Sequence, residues 1–218
     1  MEQVKEILRG EHPAKWLFYG DSITHGALHT FGWRDYTELF AERLRFELGR
    51  TMDVVINTAI SGNSTRTLLE SFDWRVTQFR PHATLLMIGM NDCSANNDIS
   101  VEEFTDNLHQ IADQLEGLGS RAVLQTTCPI LPGTAPDREG NFDAFMEAIR
   151  RVAAERALPL VDHAAHWREN ADKHFYWMSN SFHPNEYGHR AFAVLLYKAL
   201  NIYDPESHSC QFYYQGLG

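Results

Sequence analysis

No stretch of the 218-residue sequence comes near the run of about 18 to 20 apolar residues that a membrane-spanning helix needs, which excludes insertion by helices. Cysteine is scarce: Cys93, Cys128 and Cys210 are an odd number, scattered, and form no CxxC pair. A disulfide framework is therefore not expected, and a reducing, cytoplasmic address is. Basic residues are outnumbered, 19 Lys and Arg against 29 Asp and Glu, for a formal net charge of −10. A nucleic-acid surface needs clustered Lys and Arg, so that class of partner is excluded. Phosphate-cradling glycine loops of the GxGxxG or GxxxxGK[ST] kind are missing, and so is the HExxH zinc signature. Internal repeats and low-complexity linkers are absent too, so one domain is expected over residues 1–218.

Several short apolar runs recur down the chain: Trp16–Tyr19, Val54–Asn57, Thr84–Ile88, Ala122–Thr126 and Leu158–Val161. They lack polar alternation, as strands buried on both faces of a parallel sheet do. Segments of helical period separate them. Val101, Phe104, Leu108, Ile111, Leu115 and Leu118 step by three or four, as do Phe142, Phe145, Met146, Ile149, Val152 and Ala153. Another such stretch, Phe192 to Leu200, is the last helix. The start, Met1 to Gly10, reads as a charged amphipathic segment without the apolar core of a signal peptide. Pro129–Gly140 reads as a surface loop after the fourth strand. Five strands alternating with helices imply an α/β fold with a parallel sheet between two helical layers. Beyond Tyr203 the helical period is lost. This tail of residues 203–218, with Phe212, Tyr213 and Tyr214, is either docked or a partner contact, which leaves a homo-oligomer open.

Ligands of such sheets bind beyond the carboxyl ends of the strands, where the strand order switches. The polar residues found there are Gly20-Asp21-Ser22-Ile23-Thr24 after the first strand and Ile60-Ser61-Gly62-Asn63 after the second. Gly89-Met90-Asn91-Asp92 follows the third, and Phe182-His183-Pro184-Asn185 precedes the final helix. Each alone has a bland reading. Ser22 could cap a helix, Gly62 could serve a turn, and Asn91 could form an Asx turn.

Together, in this order, GDSIT, ISGN, GMND and FHPN resemble the four sequence blocks of the SGNH (GDSL-like) hydrolases. The resemblance implies a flavodoxin-like α/β/α sandwich with a five-stranded parallel sheet. It implies an ester hydrolase with Ser22 as nucleophile and His183 as general base, using no metal or organic cofactor. The oxyanion hole would comprise the backbone N–H groups of Ser22 and Gly62 and the side-chain amide of Asn91. A serine hydroxyl needs a base within hydrogen-bond reach, and acyl transfer needs donors aimed at the developing oxyanion. Pro184 and Asn185 are expected to open the last helix, whose positive end would help keep His183 neutral. Gly20 is expected to permit a tight turn before Ser22, and Gly62 to leave room for substrate.

One position departs from the family pattern. Most members carry aspartate three residues before the histidine, and this chain has Asn180. Three readings follow: Asn180 or a carbonyl orients the ring, another carboxylate such as Asp162 or Asp172 substitutes, or activity is reduced or lost. The first is preferred. The cluster Asp162, His163, His166, Asp172 and His174 does not have metal-ligand spacing, so no metal site is expected. Trp177 and Phe182 are the expected pocket walls, Trp33 is a further aromatic near the nucleophile, and Cys93 is read as an inert buried thiol. The substrate expected is a small-molecule ester, an acetyl or short-chain ester of a carbohydrate or small molecule in preference to a lysophospholipid or thioester. A catalytically weak or inactive relative that binds a glycan or protein partner is the alternative.

Overall fold

The computed structural model describes residues 1–26 and 28–211. Five strands, β1 (Lys15–Gly20), β2 (Val54–Asn57), β3 (Ala83–Met87), β4 (Arg121–Gln125) and β5 (Leu160–Val161), pair in parallel in the order β2-β1-β3-β4-β5. The chain leaves β1 for one edge at β2 and then returns to the other side of β1. The order therefore switches between β1 and β3, and a crevice opens beyond their carboxyl ends.

The helices are α1 (Glu2–Arg9), α2 (Ser22–His25), α3 (Tyr36–Glu42), α4 (Thr65–Glu70), α5 (Phe72–Arg75), α6 (Val101–Gly117), α7 (Pro136–Glu155), α8 (His163–Glu169), α9 (Glu186–Leu200) and α10 (His208–Gln211). A π turn, Arg43–Glu47, continues α3. Period two along β1 sends alternate side chains to opposite layers. On one face Trp16 and Phe18 meet Phe40 of α3 edge-on, while Tyr36 of α3 packs on Phe192 of α9. Trp167 of α8 joins the same layer against Phe192. On the other face Tyr19 packs on Phe72 of α5, and Phe104 of α6 meets Phe145 of α7.

Burial follows position in the sheet. All five residues of β3 are buried, as is β1 after Lys15, whereas β2 is an edge strand with exposed ends at Val54 and Asn57. The apolar run of β2 thus does not mark a strand covered on both faces, because a run's composition carries no information about whether a neighbour pairs with it. Pro129–Gly140 is also not all loop. Its second half opens α7, with Pro136 in the first turn, where the missing N–H costs nothing. The fifth strand starts later than expected, at Leu160, just after Pro159. Of the tail, residues 203–211 are docked: Ser209 donates its backbone N–H to Glu47 at 2.8 Å and Cys210 is buried. Phe212, Tyr213 and Tyr214 lie outside the described residues.

Candidate active site

The first motif block begins where β1 ends. Asp21 caps α2 by accepting the N–H of Ile23 at 3.0 Å, so Ser22 is the first helical residue and not the cap. Gly20 serves a different purpose from the expected turn. A Cβ there would lie 2.2 Å from the Met87 carbonyl oxygen and 2.9 Å from the Thr24 hydroxyl, so glycine is required by close approach of β1 to β3.

His183 arrives from the far end of the sequence. It lies in the loop before α9, which Asn185 caps by accepting the N–H groups of Tyr187 and Gly188. The Ser22 Oγ and His183 Nε2 atoms are 2.7 Å apart, although the residues are 161 positions apart in sequence. On the other side of the ring, Nδ1 is 3.0 Å from Oδ1 of Asn180. That same oxygen accepts the backbone N–H groups of His183 at 3.0 Å and Phe182 at 3.2 Å. Backbone N–H groups only donate, so the Asn180 atom facing them is the oxygen and the amide orientation is determined. Nδ1 must then carry the ring proton, which leaves Nε2 to accept the serine hydroxyl. Asn180 thus holds the tautomer that a base requires. Asp162 is engaged elsewhere, paired with Arg150 at 2.7 Å and capping α8, and Asp172 is exposed.

The three expected oxyanion donors have distinct surroundings. Gly62 has φ +85, a backbone that favours glycine, while a Cβ there would meet no protein atom within 4 Å. Backbone conformation therefore demands glycine at this position, and the open space is what a substrate would use. Among the described residues, the N–H groups of Ser22 and Gly62 are not donated to protein acceptors. The Asn91 amide donates one hydrogen to the Asn63 carbonyl at 2.8 Å, which orients its nitrogen and leaves the second hydrogen for a ligand. Arg75 ties these loops together. Its buried guanidinium donates to the carbonyls of Thr58 (2.8 Å) and Gly20 (3.3 Å) and to the Asn63 side chain.

The expected pocket walls divide. Phe182 lies at the site, its ring 4.6 Å from that of His183 and beneath the Arg138 guanidinium at 4.4 Å. Trp177 does not line a pocket. It is 1% exposed and packed on Trp167 and His166, a core residue, and the chain beyond it folds back so that Met178 bridges Pro184. Trp33 is exposed in a separate groove with Phe46 and Arg190. Cys93 is buried, with its thiol pushed up to about 12 by burial. Of the histidine-rich segment, His163 bonds Gln125 and His174 bonds the Pro129 carbonyl oxygen, and among the described residues no three acidic, His or Cys side chains gather as a metal site.

Two neighbours of the site were not legible in the sequence. His29 stacks on His183, ring centroids 3.6 Å apart and planes within 9°. Arg138 reaches the site from α7, bonding the Met90 carbonyl at 3.2 Å. Nothing local distinguishes either from the other histidines and arginines.

The electrostatics favour a neutral base. Burial, then His29, then Arg138, hold the His183 imidazole down at about 3. Asp21 goes the other way, pushed up to about 7 chiefly by burial, with Asp92 adding to the effect. Asp92 itself is raised to about 6 by burial, although it accepts the N–H and hydroxyl of Thr65. A neutral imidazole hydrogen-bonded to a serine, beside unused donors, can remove the serine proton and return it to a leaving group.

A family model described as the GDSL-like lipase/acylhydrolase family matches residues 18–191. An acetylxylan esterase of Geobacillus stearothermophilus is 30% identical over 179 residues, covering 71% of this chain and 78% of that protein. An uncharacterized protein of Mycoplasma pneumoniae is 34% identical over 150 residues, which is 66% of this chain. The aligned stretch spans only 17% of the length of that relative. Among solved structures, an acetylxylan esterase from Geobacillus stearothermophilus superposes with a TM-score of 0.72 at 23% identity, over 86% of this chain and 94% of its own. A lipase/acylhydrolase from Enterococcus faecalis gives 0.74 at 21% identity, over 89% and 99%.

Proposed function

This chain belongs to the GDSL-like lipase/acylhydrolase family, and from that premise we propose that it is a serine esterase acting on acetyl or other short-chain esters of carbohydrates. The observation that carries the reading is the 2.7 Å contact between Ser22 Oγ and His183 Nε2, with the far ring nitrogen held by an acceptor. Ser22 attacks the ester carbonyl while its proton passes to Nε2. The oxyanion is met by the N–H groups of Ser22 and Gly62 and by the free amide hydrogen of Asn91. Loss of one such donor costs on the order of 10²–10³ in turnover. The intermediate collapses, the alcohol leaves with the proton from Nε2, and an acyl-serine remains. Water, activated by the same histidine, then releases the acid.

The acetyl-carbohydrate preference is supported by the acetylxylan esterase among the relatives. The three cysteines are unpaired and buried, which supports a reducing compartment. A non-catalytic glycan-binding role rests on Asn180 alone, and the tautomer that Asn180 holds weighs against it.

The test is hydrolysis of acetylated xylose and of p-nitrophenyl esters of increasing chain length, with Ser22→Ala beside the parent. Turnover highest on acetyl esters and abolished by Ser22→Ala is expected. Equal rates in parent and variant would end the serine reading, and a preference for long chains would end the acetyl one.

A further inference from the structure

His29 has no part in the four motif blocks, yet its ring stacks on that of His183. The two imidazoles are parallel within 9° at 3.6 Å, and His29 is only partly exposed. The contact continues through Asn180. With Oδ1 committed to the His183 ring and two backbone N–H groups, Nδ2 faces Nδ1 of His29 at 3.5 Å. An amide nitrogen donates, so Nδ1 of His29 is the acceptor and its proton sits on Nε2. A chain of three groups results: Ser22 to His183, His183 to Asn180, Asn180 to His29.

We propose that His29 is a positioning residue for this reaction, and that the Asn180–His29 pair takes the place of the carboxylate that the family pattern puts at position 180. The proposal rests on the serine esterase reading. Its physical basis is twofold. The stacked ring fixes the plane of His183 and shields it from water, which keeps the base neutral and aimed at Ser22. The bond from Nδ2 to His29 also polarises the amide, which makes Oδ1 a better acceptor for the Nδ1 proton of His183. An amide alone offers neither effect.

The groups facing the pair come from three elements. Asn180 and His183 belong to the loop before α9, His189 lies within α9 and feels both rings, and Arg138 reaches His183 from α7. Burial lowers the pKa of His29, which favours its neutral ring. Removing it uncovers His183 to water, which raises that imidazole toward its ordinary value.

The experiment measures kcat, KM and the pH profile of kcat/KM on p-nitrophenyl acetate for the parent, Ser22→Ala, His29→Ala, His29→Phe and Asn180→Asp, and for His29→Ala in the Asn180→Asp background. Circular dichroism of each variant reports folding. We expect His29→Ala to lower kcat about ten-fold with KM little changed and to move the acid limb to higher pH. His29→Phe, which keeps the flat cover but not the acceptor, should recover part of the rate and hold the limb in place. In the Asn180→Asp background, the cost of His29→Ala should shrink to three-fold or less. A folded His29→Ala within two-fold of the parent and with an unmoved limb would overturn the proposal. So would an equal loss in both backgrounds, because His29 would then not act in place of a carboxylate. Activity surviving Ser22→Ala would instead remove the serine reading itself, a different result from parental rates in the His29 variants alone.

Discussion

Asn180 accepts three hydrogen bonds on one oxygen, from Nδ1 of His183 and from the backbone N–H groups of His183 and Phe182. In the proposed serine esterase this asparagine orients the histidine. It is neutral, and the imidazolium formed during acyl transfer gains no counter-charge from it.

Asn180→Asp is accordingly expected to raise kcat several-fold on the preferred ester. One carboxylate oxygen can keep all three bonds, and the other would face His29 Nδ1, which can take up a proton there. Asn180→Ala should lower kcat at least ten-fold. Steady-state kinetics of both variants check the pair, and an Asp variant no faster than the parent would show that the site does not lack a charge.

The pH profile follows from the burial of His183. The base works only when neutral, and burial disfavours its charged form, lowering its value to about 3. Activity should thus persist as the pH falls well below the ordinary imidazole value of about 6.5, and be lost only through the lowered one. Initial rates in short assays down to pH 4, with folding followed by circular dichroism, test this. An acid limb near 6.5 would contradict it.

Asp21 should show the opposite sign in stability. Its folded value is raised to about 7, so below that pH the fold holds a neutral carboxyl, and above it the fold carries a buried charge with Oδ2 lacking a partner. The stability lost to this group therefore grows as pH rises from the unfolded carboxylate value through 7. Asp21→Asn keeps an oxygen for the Ile23 N–H and never ionises. Its Tm advantage over the parent should be larger at pH 8 than at pH 4.

Trp177 tests the distinction between core and pocket. Trp177→Ala should cost about 3–5 kcal/mol in stability from denaturant titration, the usual range for emptying a buried aromatic site. At a temperature where the variant is folded, KM for a small ester should barely change. A large rise in KM with unchanged stability would return Trp177 to the mouth of the site.

The strands and motif blocks were legible because each is written in contiguous residues. The four blocks sit where strands or a helix begin or end, and the order of those elements places them at the switch between β1 and β3. What escaped was tertiary. The apolar run of β2 could not report that it lies at an edge, and the stretch Pro129–Gly140 reads as loop although Pro136 opens a helix. Trp177 lies only six residues before His183, yet the turn between them carries it into the core. His29, 154 positions from His183, touches it ring to ring. Stacking leaves no local signature, so the group most intimate with the base was the one that sequence spacing could not propose.

The Arg75 guanidinium bonds the Gly20 carbonyl before the serine, the Thr58 carbonyl before the glycine loop, and the Asn63 side chain, whose backbone carbonyl holds the Asn91 amide. One cation thereby couples the three segments that would surround an oxyanion into a single rigid frame. The dipoles of such a frame are ordered once, when the chain folds, and need no reorientation as charge moves onto the carbonyl oxygen. Water around the same ester would have to reorganise in every encounter.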